Sequence, residues 1–180
     1  MALIVFVAEG KDAPLEWRAP SNESMTRAST TVSRIIKAPR SAVYKACLDA
    51  DALAKWRVPD NMTARVHVFE VREGGTYRMS LIYLDPKQSP GGKTSEDTDT
   101  FRGRFVELVP DEKIVEAIEF ESHEPGFAGQ MKMTTRLADA DGGTEVTILC
   151  ENLPAGIRPE DNETGTRQSL QKLAALLETG

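Results

Sequence analysis

The sequence predicts an α+β chain in which a long, strongly bent antiparallel sheet wraps one C-terminal helix. Between residues 64 and 151, β-branched and apolar residues alternate in short runs separated by turn residues. After residue 159 the period changes, and Leu170, Leu173, Ala174 and Leu177 recur at three- and four-residue spacing, which lines one face of a helix. One antiparallel sheet has one apolar face to cover, and this helix is the large element available to cover it. A sheet of that length coils as it extends. The gap left between a bent sheet and a single helix is a place for a ligand.

Taken in order, residues 1–29 form an irregular extension rich in Gly, Pro, Ser and charge, and residues 30–178 form the domain. A strand over residues 30–37 leads to Pro39, which opens a short helix with Val43, Ala46 and Cys47 as its apolar stripe. A second short helix spans residues 51–56, and Pro59 ends the segment. About six strands follow. In the first, over residues 64–71, Val66 and Val68 oppose His67 and Phe69. The glycine pair Gly74 and Gly75 makes a tight turn into a strand over residues 76–84. Residues 85–99, full of Pro, Gly, Ser and Asp, form a long hairpin loop. Further strands occupy residues 100–109, 113–120, 130–138 and 143–151, the last two joined by a turn rich in Asp and Gly. In the closing helix, over residues 159–178, Gly165 should cost about 1 kcal/mol relative to Ala, and close approach of another element is the expected reason for it.

Composition narrows the function classes. The chain has 180 residues, 40% hydrophobic and 28% charged, with a formal net charge of −6 and both signs interspersed. Phosphate binding needs a concentrated basic face, so nucleic acid is not an expected partner. No apolar run approaches the ~20 residues that cross a bilayer, so no membrane insertion is expected. The segment ALIVFVA after Met1 lacks a preceding basic residue and reads as non-secretory, which gives a cytoplasmic location. Two cysteines among apolar neighbours, Cys47 and Cys150, read as buried free thiols.

The inventory of chemical groups is thin. His67 and His123 are the available neutral-pH bases, and neither sits in a nucleophile motif. No metal-ligand spacing is present, and no cofactor is expected. Glu107, Glu116 and Glu119 are the candidate inward acids. Their ordinary reading is a solvated sheet face paired with Arg102, Arg104 or Lys132. A carboxylate in a low-dielectric pocket would instead have a raised pKa and could act as an acid or base. The candidate pocket is apolar and soft. Tyr77, Met79, Leu81 and Tyr83 share one face of their strand, as do Met131, Met133, Thr135 and Leu137 of theirs. Methionines suit adaptable cavities. Leu170 and Leu173 face them from the helix, Trp56 is placed near the mouth, and Tyr83 or Arg78 would supply a polar contact.

Four ordered blocks carry a recognisable pattern. The run KAPRSAVYKACLDADALAKWRVPD presents Ala38, Pro39, Val43, Tyr44, Ala46, Trp56 and Pro59. FEVREGGTYRM presents Glu70, Arg72, Gly74, Gly75, Tyr77 and Arg78. RGRFVELVPDEKIV presents Gly103, Phe105, Glu107, Leu108 and Pro110, and GTRQSLQKL presents Gly165 and Thr166. Together these blocks resemble the SRPBCC, or START-like, superfamily with its helix-grip fold, and within it the branch named for the activator of Hsp90 ATPase, which has Asp at the position of Glu70 and Trp at that of Thr166. The resemblance implies a helix-grip domain that binds a small hydrophobic molecule, with no evident catalysis. It also leaves a chaperone co-factor role open, and more remotely a cyclase or hydrolase using a buried carboxylate. Fold alone does not choose among these.

Overall fold

A computed structural model describes residues 27–85, 87, 92–95 and 97–178. The expectations for residues 1–26 lie outside the described residues. The elements run β1 (Thr30–Ile36), α1 (Arg40–Cys47), α2 (Ala50–Trp56), β2 (Met62–Phe69), β3 (Thr76–Tyr83), β4 (Thr98–Val109), β5 (Lys113–Phe120), β6 (Met131–Ala140), β7 (Gly143–Glu151) and α3 (Pro159–Glu178). The seven strands form one antiparallel sheet in the order β1-β7-β6-β5-β4-β3-β2. This is the helix-grip fold, a curled half-barrel with α3 against its concave face. Among the described residues no helix is long and apolar enough to cross a membrane.

Local chemistry explains the boundaries. Pro39 stands at the N-cap of α1 with extended backbone (φ −68°, ψ 152°), and the helix begins at Arg40. Asp49 caps α2 by accepting from the Ala52 N–H at 2.8 Å. The two short helices are fastened by the Trp56 indole N–H, which donates to the Ala46 carbonyl at 3.0 Å.

Two bulges bend the sheet. In β2 the register shifts between Val66 and Val68, so Val66 faces Met79 while Phe69 faces Tyr77. The expected alternation therefore fails after His67. Phe69 turns inward beside Val66 against the core, and Val68 is 45% exposed. One inserted residue reverses which face each later side chain takes. A second shift lies between Phe105 and Glu107 in β4, leaving Val106 outside.

The core lies between the concave face and the helices. Leu170 and Leu173 are fully buried, and Ala174 nearly so, each leucine contributing about 1.5–3 kcal/mol by leaving water. Gly165 departs from expectation. A Cβ built there would meet Pro59 Cγ at 3.8 Å, an ordinary contact, so no neighbouring element requires a glycine at that position.

Candidate functional site

At the centre of the concave face, the end of α2, β3 and β5 bring three polar side chains together among buried Met133, Phe101 and Phe105. Arg57 is the C-cap of α2, its N–H returning to the Leu53 carbonyl at 2.9 Å. Tyr77 belongs to β3 and lies opposite Gly103. Glu116 belongs to β5, between Phe105 of β4 and Met133 of β6. Arg57 Nη1 donates to Glu116 Oε1 at 2.8 Å, and the Tyr77 hydroxyl donates to the same oxygen at 2.6 Å. Arg57 Nη2 reaches Tyr77 Oη and Met133 Sδ, each at 3.4 Å. The guanidinium also stands 5.7 Å from the Tyr77 ring centroid and 6.0 Å from that of Phe101.

Burial makes this cluster electrostatically strong. Glu116 is 3% exposed, and the Arg57 side chain 14%. Burial by itself works against a charged guanidinium, yet Glu116 and Tyr77 outweigh it and hold the Arg57 proton more tightly than usual. Burial also raises the Tyr77 phenol well above its ordinary range, with Arg57 opposing and Glu116 reinforcing the rise. The adjacent Cys47 thiol is pushed up to about 12, first by burial and then by Glu116, against the pull of Arg57. It is an inert thiol rather than a nucleophile.

Of the residues chosen from sequence, Trp56, Tyr77, Met79, Met131, Met133, Leu170 and Leu173 join one core cluster. Leu81 is half-buried and packs against it. Tyr83 is half-buried at the end of β3, its phenol raised by burial and then by Asp99 and Asp161. Trp56, expected near a mouth, is only 2% exposed and pins α2 to α1. Arg78 is not available as a polar contact within, because it holds Glu121 through two bonds of 2.8 and 2.7 Å. Its register neighbour Arg102 likewise pairs outward with Glu119 at 3.2 Å.

The three acids separate in the same way. Glu107 meets Lys113 at 2.9 Å on the surface, and only Glu116 turns inward. Its partner is Arg57, not the expected Arg102, Arg104 or Lys132. Sequence periodicity carried a sign of this, since Glu116 shares its strand face with the apolar Ile114 and Ile118. Arg57 gave no such sign, because its placement follows from where α2 ends. His67 is occupied structurally, its Nε2 lying 2.8 Å from the Ser80 hydroxyl, which in turn lies 2.8 Å from that of Thr100. Among the described residues no group of three or more His, Cys, Asp or Glu side chains could hold a metal ion.

Comparison with known proteins supplies the frame for this geometry. The crystal structure of a protein from Chromobacterium violaceum superposes with a TM-score of 0.74 at 35% identity, covering 83% of this chain and 96% of that one. A protein from Rhodobacter sphaeroides gives 0.69 at 16% identity, with 84% and 92% covered. An AHSA1-like protein from Aeromonas hydrophila gives 0.63 at 16% identity, with 84% and 93% covered. The latter two likenesses concern the fold. No curated protein matches the chain. The model of the activator of Hsp90 ATPase homolog 1-like family matches residues 37–178, and the chain belongs to that family.

Proposed function

We propose that the protein binds a small, largely apolar molecule between the concave sheet face and α3. The observation that carries this reading is the buried Arg57–Glu116–Tyr77 cluster set into the hydrophobic core. An ion pair in such a place contributes little net stability compared with well-packed hydrophobic residues. A ligand that uses it for orientation gives it a purpose. The surrounding Met79, Met131 and Met133 are soft side chains that can repack around a guest. Half-buried Leu81 and Tyr83 mark the end of the sheet at which such a guest would enter.

Native mass spectrometry of freshly purified protein, beside its denatured mass, tests the proposal. A non-covalent adduct that disappears on denaturation is the expected result. Leu81→Trp or Met133→Trp should abolish uptake while unfolding stays cooperative. Uptake that survives both substitutions would show that the guest does not occupy this face.

A second reading, a chaperone co-factor, is favoured by a different feature. Val68, Val71 and Val106 are 45%, 44% and 47% exposed around the β2–β3 turn, which is tied to β4 by the Gly74 N–H donating to the Phe105 carbonyl at 2.7 Å. The family description points to Hsp90 as the partner to try. Stimulation of its ATPase by this protein, lost on Val68→Asp with Val106→Asp, would support that reading. An unchanged ATPase rate would remove it.

A further inference from the structure

The outer face of the sheet, turned away from α3, carries an open depression of about 390 Å³. Burial alternates along β4, with Phe101 and Phe105 facing the core and Arg102 and Arg104 exposed on the outside. Arg78 of β3 lies directly opposite Arg102, and Ala117 of β5 lies directly opposite Arg104. All three arginines line the depression, and the short Ala117 forms its floor. Like charges placed opposite each other across a sheet repel, so such a trio calls for anions. Arg78 is matched by Glu121 through two bonds, and Arg102 by Glu119 through one bond of 3.2 Å. Both glutamates line the same depression. The Arg104 side chain takes part in no ion pair or hydrogen bond among the described residues. Three arginines against two glutamates leave one positive charge, on a chain whose net charge is −6.

We propose that this depression is a binding site separate from the concave face, and that its ligand is a monoanionic organic acid with a flat apolar body. The carboxylate pairs with Arg104, whose planar fork of donors matches it bidentately. Arg102 stands two residues along the same strand face, roughly 7 Å away, with donors to spare beyond its single bond to Glu119. The body of the ligand lies over Ala117 and half-exposed Val68, both of which line the depression, and against the aliphatic stems of the arginines. A neutral isostere is disfavoured because it leaves Arg104 without an anion. A dianion such as a phosphate monoester is disfavoured because Glu119 and Glu121 repel its second charge.

Three matched probes test this by isothermal titration calorimetry on the full chain: naphthalene-2-carboxylate, naphthalene-2-carboxamide and 2-naphthyl phosphate. The wild-type protein should bind the carboxylate at least about five-fold more tightly than either of the others. Arg104→Gln should weaken carboxylate binding at least about five-fold. Arg136→Gln removes another exposed cation of the same sheet face, on β6 and outside the depression, and should change that affinity less than about two-fold, since salt screens exposed charges at a distance. Arg104 is exposed and unpaired, so its replacement should leave the urea midpoint unchanged. A smaller preference for the carboxylate over either other probe, or no carboxylate binding at all, overturns the ligand class. Carboxylate binding that survives Arg104→Gln overturns the site, because the probe then sits elsewhere. Equal losses in the two variants also overturn it, since they mark a general attraction to the basic face.

Discussion

The ring of Tyr77 lies across Gly103. The two residues face each other on β3 and β4, yet the Tyr77 hydroxyl must reach Glu116 on β5, one strand further. It does so by crossing the β4 backbone where no side chain intervenes. A Cβ on Gly103 would fall 2.1 Å from Tyr77 Cζ and 2.4 Å from Oη. Phe69, Phe101 and Phe105 hold the ring from the sides, with centroids 6.0, 6.3 and 5.3 Å away. Gly103→Ala should therefore expel the ring and break its bond to Glu116. Overpacking and a lost bond to a charged group together suggest a loss of about 3 kcal/mol. Urea unfolding measures it, and a loss within about 0.5 kcal/mol would mean that the ring relaxes without consequence.

The Arg57–Glu116 pair should behave as one unit. Glu116→Ala strands a buried guanidinium and should cost about 3–5 kcal/mol, whereas Arg57→Met with Glu116→Leu should return most of that loss. A double-mutant cycle by chemical denaturation gives the coupling directly. Additive single effects would show that the two charges do not depend on each other, contrary to their 2.8 Å contact.

Periodicity reveals much of this molecule and misses the parts set by irregular backbone. The stripe Leu170, Leu173, Ala174 was visible because a straight helix repeats faithfully over 20 residues. The inward face of β3 at Tyr77 and Met79 was visible for the same reason in a regular strand. Strict alternation misplaces Phe69 because the β2 bulge inserts a residue, and nothing in a run of alternating residues announces one. Glu116 is legible as an inward acid from its apolar strand face, whereas its pairing with Arg57 is not. The two are 59 positions apart, and a helix C-cap leaves the direction of its side chain to tertiary packing. Gly103 belonged to a matched block, while its reason, the passage of Tyr77 overhead, required the third dimension.

Alkaline conditions should weaken the fold through Cys47. In the unfolded chain its thiol loses its proton near its ordinary value of 9.0, whereas in the folded protein it holds the proton to about 12. Between those values the folded state binds more protons than the unfolded state, so stability falls as pH rises. The contribution is fully present below pH 9 and is gone once pH passes about 12. Cys47→Ala should flatten the decline measured by denaturant unfolding, leaving the parts that the Cys150 thiol and the Tyr44, Tyr77 and Tyr83 phenols add, each raised chiefly by burial. An unchanged slope in the variant would place the pH dependence elsewhere. In the native protein at neutral pH, both thiols should resist a thiol-specific chromogenic reagent until the chain unfolds, since both are buried.

Gly165 offers the opposite kind of test, a stabilising substitution. It occupies the interior of α3, where glycine is disfavoured relative to alanine by about 1 kcal/mol because it has more backbone freedom to lose on folding. Its φ is not in the left-handed region, which among the described glycines holds Gly74, Gly129 and Gly142. The nearest atom to a built Cβ is Pro59 Cγ at 3.8 Å, which is contact without clash. Gly165→Ala should therefore raise stability by about 0.5–1 kcal/mol, seen as a higher denaturation midpoint with an unchanged slope. Its value lies in what else is measured. If the variant is more stable but takes up less of the guest sought by native mass spectrometry, the glycine serves movement of α3 against Pro59 rather than packing. If uptake is unchanged, α3 acts as a fixed wall, and the adaptation to a guest falls to Met79, Met131 and Met133.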